Sequence, residues 1–164
     1  MATTWSSPSI ITQYAEPDAE HAHVSWDLTE KRLKTDGQLE HIARSPKHDL
    51  RNKTYFVKAQ GFNFEGLPEV LSGITLRLTV SRSGRITDET IQLCLGEDLV
   101  GDNHASLSLD PMKTYGGDTD LWNTSLSITD ILTPEFGVVL RFQAHPHWPH
   151  RDAAFIDAVE IQIY

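Results

Sequence analysis

Residues 155–164 read Phe155-Ile156-Asp157-Ala158-Val159-Glu160-Ile161-Gln162-Ile163-Tyr164, a stretch typical of a β-strand. Side chains of a strand alternate between its two faces. One face of this run carries an apolar set with one acid among it, namely Phe155, Asp157, Val159, Ile161 and Ile163. The opposite face carries Ala158, Glu160, Gln162 and Tyr164. This pattern predicts a half-buried antiparallel strand. Asp157 is expected to cap a loop or accept hydrogen bonds on the apolar face, because a bare buried charge is costly.

Working outward from this run, strand signals separated by turn signals extend back to Lys53. Residues 74–80 alternate most cleanly, with Ile74, Leu76, Leu78 and Val80 on one face. Ser83-Gly84 is a turn signal, so Ser72–Arg82 and Ile86–Leu95 are expected to pair as a hairpin. A short strand is expected over Ala105–Leu109, a long turn over Thr114–Asp118 and one helical turn over Ser127–Leu132. Short strands without a long amphipathic helix indicate an all-β fold, an antiparallel β-sandwich or jelly roll.

Residues 1–52 differ from the rest because they are polar, rich in histidine and poorly periodic. They are predicted to form an irregular N-terminal arm or assembly segment, and residues 53–164 the β-sandwich domain. Apolar side chains such as Trp5 and Trp26 cannot form a core of their own in such a segment. We therefore expect the arm to bury them against the sandwich or a neighbouring subunit, and we expect the domain to stay folded without residues 1–40.

The charge balance limits the classes of partner. The chain has 164 residues, a formal net charge of −9, and 14 basic against 23 acidic residues, whereas nucleic-acid binders usually show a basic surface. No apolar run approaches the length of a membrane span, and the first residues lack the pattern of a signal peptide. Synthesis in a cytoplasm is the expectation, with no nucleic acid or membrane as partner. The single cysteine, Cys94, excludes an internal disulfide and is predicted to be an ordinary strand residue.

Several short pieces in order resemble a β-sandwich module found in virion proteins of tailed bacteriophages. They are Gly61-Phe62-Asn63-Phe64, Ser72-Gly73-Ile74, Val80-Ser81-Arg82-Ser83, Ile86-Thr87-Asp88, Val100-Gly101-Asp102-Asn103-His104-Ala105, Tyr115-Gly116-Gly117-Asp118-Thr119-Asp120-Leu121-Trp122, Asp130-Ile131, Phe136-Gly137-Val138 and Ile156-Asp157-Ala158-Val159. The resemblance covers about residues 55–164. It implies a non-enzymatic, assembled component of the virion that works through contacts with other virion proteins.

Two groups of residues are candidates for ligand binding. His145, His147 and His150 could bind a metal such as zinc, but a proline-stiffened loop needs no metal, and we expect neither metal nor another cofactor. Acidic loops around Asp102 and Asp120 lack EF-hand spacing and are expected to be solvated. Among the tryptophans, Trp5, Trp26 and Trp148 are the candidates for an interface or a ligand contact, whereas Trp122 suits the core.

Two functional hypotheses follow. The first is an external accessory protein of a tailed-phage virion, in capsid decoration, neck or tail-fibre attachment, assembled as a homo-oligomer with a trimer favoured. The second is a carbohydrate-binding module that recognises a host-surface glycan, since jelly rolls also host lectins. Catalysis has little support because no nucleophile elbow or phosphate-binding loop is present. Adjacent carboxylates such as Asp88 and Glu89 point to opposite strand faces.

Overall fold

The computed structural model describes residues 1–16, 25–26, 40–41, 53–145 and 153–164. These residues form two antiparallel sheets and one short helix. The strands are β1 (Ile10–Tyr14), β2 (Glu40–His41), β3 (Phe56–Gln60), β4 (Ile74–Ser83), β5 (Ile86–Leu95), β6 (Asp98–Val100), β7 (Met112–Gly117), β8 (Phe136–Ala144) and β9 (Ala153–Ile163), and the helix is α1 (Ile128–Ile131). In these ranges no helix is long and apolar enough to cross a membrane.

The strand order is that of a jelly roll. The five-stranded sheet has the order β1-β3-β8-β5-β6, and the four-stranded sheet has the order β2-β9-β4-β7. Strands β2 to β9 pair like a long hairpin rolled up on itself, β2 with β9, β3 with β8, β4 with β7 and β5 with β6. The prediction of an all-β antiparallel sandwich is therefore confirmed, with β1 as an additional edge strand on β3.

The core lies between the two sheets and follows the alternation seen in the sequence. The inward side chains of β4 are Ile74, Leu76, Leu78 and Val80, each at most 1% exposed. They face inward side chains of the other sheet, among them Val57, Ile91, Leu93, Val138, Leu140 and Phe142. The predicted helical turn is also confirmed, because Ser127 caps α1 and exchanges hydrogen bonds with Asp130.

The predicted faces of the final strand are correct only at its C-terminal end. Val159, Ile161 and Ile163 are fully buried, but Thr79 pairs with Ala158 and Val80 pairs with Ile156. Asp157 is therefore the extra residue of a β-bulge. The bulge reverses the alternation, so Ile156 enters the core and Phe155 lies on the opposite face. The buried Asp157 Oδ1 atom has no hydrogen-bond partner among the described residues, so the hydrogen bonding expected of this carboxylate is not found at that oxygen.

The predicted hairpin between Ser72–Arg82 and Ile86–Leu95 is wrong. β4 pairs with β7 and β9, whereas β5 pairs with β6 and β8. The tight turn at Gly84 carries the chain from one sheet to the other, because the apolar faces of β4 and β5 oppose each other across the core. A turn signal indicates a change of direction but does not determine whether the next strand joins the same sheet.

The chain between β6 and β7 also differs from prediction. The predicted strand over Ala105–Leu109 is absent, since these residues belong to neither sheet, and the predicted turn over Thr114–Asp118 falls largely within β7. We call residues 103–110 the strap. The strap follows β5, where the His104 N–H donates to the Ile91 carbonyl over 2.8 Å. The Asn103 side chain accepts from the Ile91 N–H at 2.9 Å and donates to the Glu89 carbonyl at 2.9 Å.

The described parts of the predicted arm belong to the sandwich. Ser6 exchanges backbone hydrogen bonds with Ile161 of β9, and the Thr3 N–H donates to the Ile163 carbonyl, while the Thr3 hydroxyl accepts from the Ile163 N–H. The chain then crosses from the four-stranded sheet to the other sheet as β1. Ile11 and Trp26 are buried in the core, as expected for apolar side chains that dock on the sandwich. The remaining residues of the arm, 17–24, 27–39 and 42–52, lie outside the described residues.

Deletion of residues 1–16 is expected to destabilise the domain severely, which reverses the expectation that it folds without residues 1–40. The deletion removes β1, exposes the edge of β9 beside Ile161 and takes Ile11 from the core. Thermal unfolding followed by circular dichroism should show a large fall in melting temperature. Deletion of Met1 and Ala2 alone is the control and should leave the melting temperature unchanged. A 17–164 fragment that melts like the intact chain would contradict the role of this segment.

Candidate functional site

A buried carboxylate joins the two sheets at the edge where β5 faces β7. The Asp88 Oδ1 atom accepts from Arg82 Nη2 at 3.0 Å. The Oδ2 atom accepts from Lys113 Nζ at 2.6 Å, from the Tyr115 hydroxyl at 2.6 Å and from the Ser106 backbone N–H at 3.3 Å. The Asp88 side chain is fully buried, and the Arg82 and Lys113 side chains are 5% and 9% exposed. We call these five residues the Asp88 cluster.

Burial dominates the electrostatics of the Asp88 cluster. It lowers the pKa of Lys113, although the hydrogen bond and charge of Asp88 act in the opposite direction. It also raises the pKa of Tyr115, and the hydrogen bond to Asp88 adds to that rise. A carboxylate that accepts four hydrogen bonds within the protein has little capacity left for a substrate. The arrangement can fix the strap to both sheets. Ser106 belongs to the strap and Asp88 to β5 of the five-stranded sheet, whereas Arg82 and Lys113 belong to β4 and β7 of the four-stranded sheet.

The strap turns its polar side towards the protein and its apolar side towards solvent. Lys113 Nζ donates to the Ser108 carbonyl at 2.7 Å, and the Ser106 N–H points at Asp88. Leu107 and Leu109 alternate with these serines and lie on the outer side, 78% and 46% exposed. Met112, at the start of β7, is 62% exposed. We call Leu107, Leu109 and Met112 the leucine ridge.

The strap meets a tightly packed junction around Trp122. The Trp122 side chain is fully buried, and its Nε1–H donates to the Ile74 carbonyl at 2.8 Å. The His104 ring stacks on the indole at a centroid distance of 4.1 Å. A β-carbon at Gly116 would lie 2.4 Å from the indole Nε1, and one at Gly101 would lie 2.1 Å from the Trp122 carbonyl oxygen. Both positions therefore require glycine, which has positive φ there.

The three tryptophans predicted as contacts have different environments. Trp26 is buried, and its Nε1–H donates to the Tyr55 carbonyl at 2.8 Å, so its indole has no surface to offer a ligand. Trp5 is half-buried on the four-stranded sheet, with the Arg77 guanidinium 4.1 Å from its ring centroid. Trp148 lies outside the described residues. Of the two described side chains, Trp26 lies in the core and Trp5 lies near the surface, so these two do not share one site.

The histidine cluster is described only at its first member. His145 Nε2 lies 2.7 Å from the Thr87 hydroxyl, and the His145 backbone N–H donates to the Arg85 carbonyl at 2.7 Å. His147 and His150 lie outside the described residues. Within the described ranges, no group of three or more histidine, cysteine or acidic side chains could hold a metal ion.

The acidic loops have structural contacts where they are described. Asp120 Oδ1 accepts from the Trp122 N–H at 2.7 Å, and Asp120 Oδ2 lies 3.7 Å from His104 Nδ1. Asp102 Oδ1 accepts from the Asn123 amide at 3.4 Å. These carboxylates thus support the turns around Trp122.

The outer face of the five-stranded sheet carries cations whose charges meet acids of the same chain. Lys58 Nζ lies 3.0 Å from Glu97, and Arg141 lies 3.1 Å from Glu16. Glu89 is the extra residue of a bulge in β5 and contacts Lys53 at 3.0 Å. Asp88 and Glu89 thus have separate partners on opposite faces, in agreement with the strand alternation. Burial raises the pKa of Glu89, but bonds from Thr90 and Lys53 and the charge of Arg141 outweigh it, so the pKa is lowered.

Cys94 is expected to resist thiol reagents in the native protein. The residue lies in β5, is fully buried, and burial raises its pKa from 9.0 to about 12. The reactive thiolate is therefore scarce below that pH. Maleimide or iodoacetamide labelling at pH 8 should be negligible until denaturant is added. The pKa of the Cys94 thiol is higher in the folded state than in the unfolded state, so folding favours the protonated thiol. The associated contribution to stability is complete below pH 9 and is lost as pH rises towards 12. Rapid labelling of the native protein at pH 8 would contradict the burial of the Cys94 thiol.

An open groove of about 410 Å³ lies between β6 and the segment that leads into α1. Leu95, Val100 and Leu126 supply apolar walls, and Asn123 and Asp130 supply polar groups. Asp130 already accepts hydrogen bonds from the Ser127 N–H and hydroxyl. The Asp130 carboxylate is thus engaged in helix capping. Among the described residues, no buried polar atom without a hydrogen bond lines the groove.

The leucine ridge and the Asp88 cluster were not predicted from the sequence. The alternation Ser106-Leu107-Ser108-Leu109 predicted a short strand, and alternation alone does not determine which side of a strand faces solvent. The long-range contacts of Asp88 with Tyr115 and Lys113 carry no local signal. No protein-family model, curated protein or solved structure matches this chain.

Proposed function

We propose that this protein is a non-enzymatic structural component of a tailed-phage virion, an external accessory protein that works through protein–protein assembly. Its partners are other virion proteins and further copies of itself, and it is made in the host cytoplasm. The observation that carries the proposal is the leucine ridge. Clustered apolar side chains held at the surface are typical of interaction sites.

The positions that resemble the phage module support a scaffold role. Gly101, Asn103, His104, Gly116 and Trp122 belong to two of the quoted pieces, and they meet in one junction. Each contributes packing, a hydrogen bond or a close backbone approach. Residues with such packing roles support a scaffold function, which suits a protein whose task is to present surfaces.

The test is the location of the protein in purified particles of the phage whose genome encodes it. Immunogold labelling and quantitative mass spectrometry should find it on the particle in a fixed ratio to the major capsid or tail protein. The antibody should label the outside of intact particles, since an external accessory is accessible there. Protein found only in the host lysate, with none in washed particles, would refute the proposal.

A carbohydrate-binding module is the alternative, and Trp5 is the residue that favours it. The half-buried indole lies beside Arg77, which donates to Glu160 at 2.7 Å, so an aromatic ring and polar groups are adjacent on the four-stranded sheet. Such combinations bind sugars by stacking and hydrogen bonding. A glycan array of the host surface, probed with the intact chain and with Trp5→Ala, separates the hypotheses. Binding that is lost in the variant would favour the alternative.

A further inference from the structure

The outer face of the four-stranded sheet carries an arginine that is held in place. Arg77 projects from this face of β4, between the inward side chains Leu76 and Leu78, and it is paired with Glu160 of β9. The Arg77 Nε–H donates to Glu160 Oε2 at 2.7 Å, and the guanidinium carbon lies 4.1 Å from the ring centroid of Trp5. These two contacts fix the planar group, so little side-chain entropy remains to be lost when it binds a ligand. We call Trp5, Arg77 and Glu160 the outer triad.

Several polar atoms of the outer triad remain available for a ligand. The Arg77 side chain is 30% exposed, and within the described ranges no group accepts a hydrogen bond from its Nη1 or Nη2 atoms. The Trp5 Nε1 donor and the Glu160 Oε1 acceptor also have no partner in those ranges. Gln162, two residues further along the same face of β9, is engaged, because it accepts from the Tyr164 hydroxyl at 2.7 Å. The face therefore presents donors and an acceptor side by side, next to an indole.

This combination of groups suits an uncharged sugar. Each sugar hydroxyl can both donate and accept a hydrogen bond, so adjacent hydroxyls can accept from Arg77 and donate to Glu160. The C–H groups of the sugar ring can pack against the exposed part of the Trp5 indole. An acidic ligand fits less well, because Glu160 already neutralises Arg77 and the chain has a formal net charge of −9.

We propose that the outer triad binds a neutral hexose unit of a glycan. Arg77 is the hydrogen-bond donor, Glu160 is the acceptor and Trp5 is the apolar contact. The inference goes beyond the assembly function and rests on the carbohydrate-binding alternative, which it deepens by naming the ligand class and the two polar residues. An open site that contacts one side of a single sugar ring should bind a monosaccharide with a dissociation constant on the order of 1 mM.

The test is a titration of the isotope-labelled intact chain, followed by NMR of its indole N–H groups. The probes are the methyl glycosides of glucose, galactose, mannose, rhamnose and N-acetylglucosamine, each added to about 50 mM to reach weak affinities. At least one should shift the Trp5 indole resonance, which is identified by its loss in Trp5→Phe. The Trp26 and Trp122 resonances are internal controls and should not shift, because both N–H groups are buried and hydrogen-bonded. Methyl glucuronide, which carries a carboxylate, should leave the Trp5 resonance in place.

Two substitutions separate the site from the fold around it. Arg77→Lys keeps a positive charge opposite Glu160 but loses the planar fork, so it should weaken the best glycoside by at least about 10-fold. Lys53→Gln is the matched control, because the Lys53 side chain is also 30% exposed and lies 3.0 Å from an acid, Glu89. This control should bind like wild type. Circular dichroism melts of both variants establish that they are folded.

The results that would overturn the inference are specific. They are no shift of the Trp5 resonance with any of the neutral glycosides, an Arg77→Lys variant that binds like wild type, or a glucuronide that binds more tightly than every neutral glycoside. Particle localisation tests the proposed function separately. A virion protein that binds no glycoside fails only this inference, whereas a chain that binds sugar through Arg77 but is absent from washed particles fails only the assembly function.

Discussion

Asp88→Ala is expected to destabilise the protein by about 3–5 kcal/mol, the usual cost of removing one partner from a buried ion pair. Arg82 and Lys113 would remain almost fully buried without a counter-charge, and the Tyr115 hydroxyl and Ser106 N–H would lose their acceptor. Urea unfolding monitored by tryptophan fluorescence gives the free energy of unfolding. Asp110→Ala removes an exposed carboxylate from the same strap and should have little effect.

A second substitution distinguishes buried charge from lost packing. Adding Lys113→Met to Asp88→Ala removes one unpaired cation, so the double variant should recover part of the lost stability. Purely additive losses would show that charge compensation is not the reason for the effect. A stability within about 1 kcal/mol of wild type for Asp88→Ala would exclude the proposed role of the cluster.

Trp122→Ala is the other substitution with a very large expected effect, about 3–5 kcal/mol for the loss of a buried aromatic side chain. The variant leaves a cavity beside Gly116 and His104 and deprives the Ile74 carbonyl of its donor. Trp122→Phe keeps an aromatic ring but loses the Nε1–H, so it should cost less, about 1–3 kcal/mol. Thermal and urea unfolding of the two variants should reproduce this order.

Trp5→Ala is the matched control for the tryptophan series. Its indole is half-buried and contacts Arg77 at the surface, so its removal should destabilise the protein much less than Trp122→Ala. Equal losses for the two positions would contradict the burial pattern. The same Trp5 variant serves in the glycan experiment, where its modest effect on stability makes a loss of binding interpretable.

Local alternation was sufficient to predict the inward faces of the long strands. Leu76 and Ile161 face the core as the sequence indicates. Apolar side chains at every second position share one face of a strand, and in a sandwich that face is stable only when it points into the core. The α1 turn was predictable for a similar local reason, since Ser127 and Asp130 satisfy its first backbone N–H groups. These features depend on residues close in sequence.

Single-residue bulges explain the errors within predicted strands. Asp157 in β9 and Glu89 in β5 each insert one residue, so the alternation changes face beyond them. Phe155 was assigned to the core for this reason, whereas Ile156 is the buried side chain. No property of these acidic residues in the sequence distinguishes a bulge from a regular strand position, because the bulge depends on the register of the neighbouring strand.

The sequence by itself determined that this chain forms an antiparallel all-β sandwich with a polar exterior. Only the tertiary structure decided that β4 and β5 lie in different sheets, that the N-terminal segment completes both sheets, and that Leu107 faces solvent while Asp88 is buried. The physical reason is that alternation specifies which side of a strand is apolar. The partner of each strand, and whether an apolar side meets the core or the surface, depends on contacts between residues far apart in the chain.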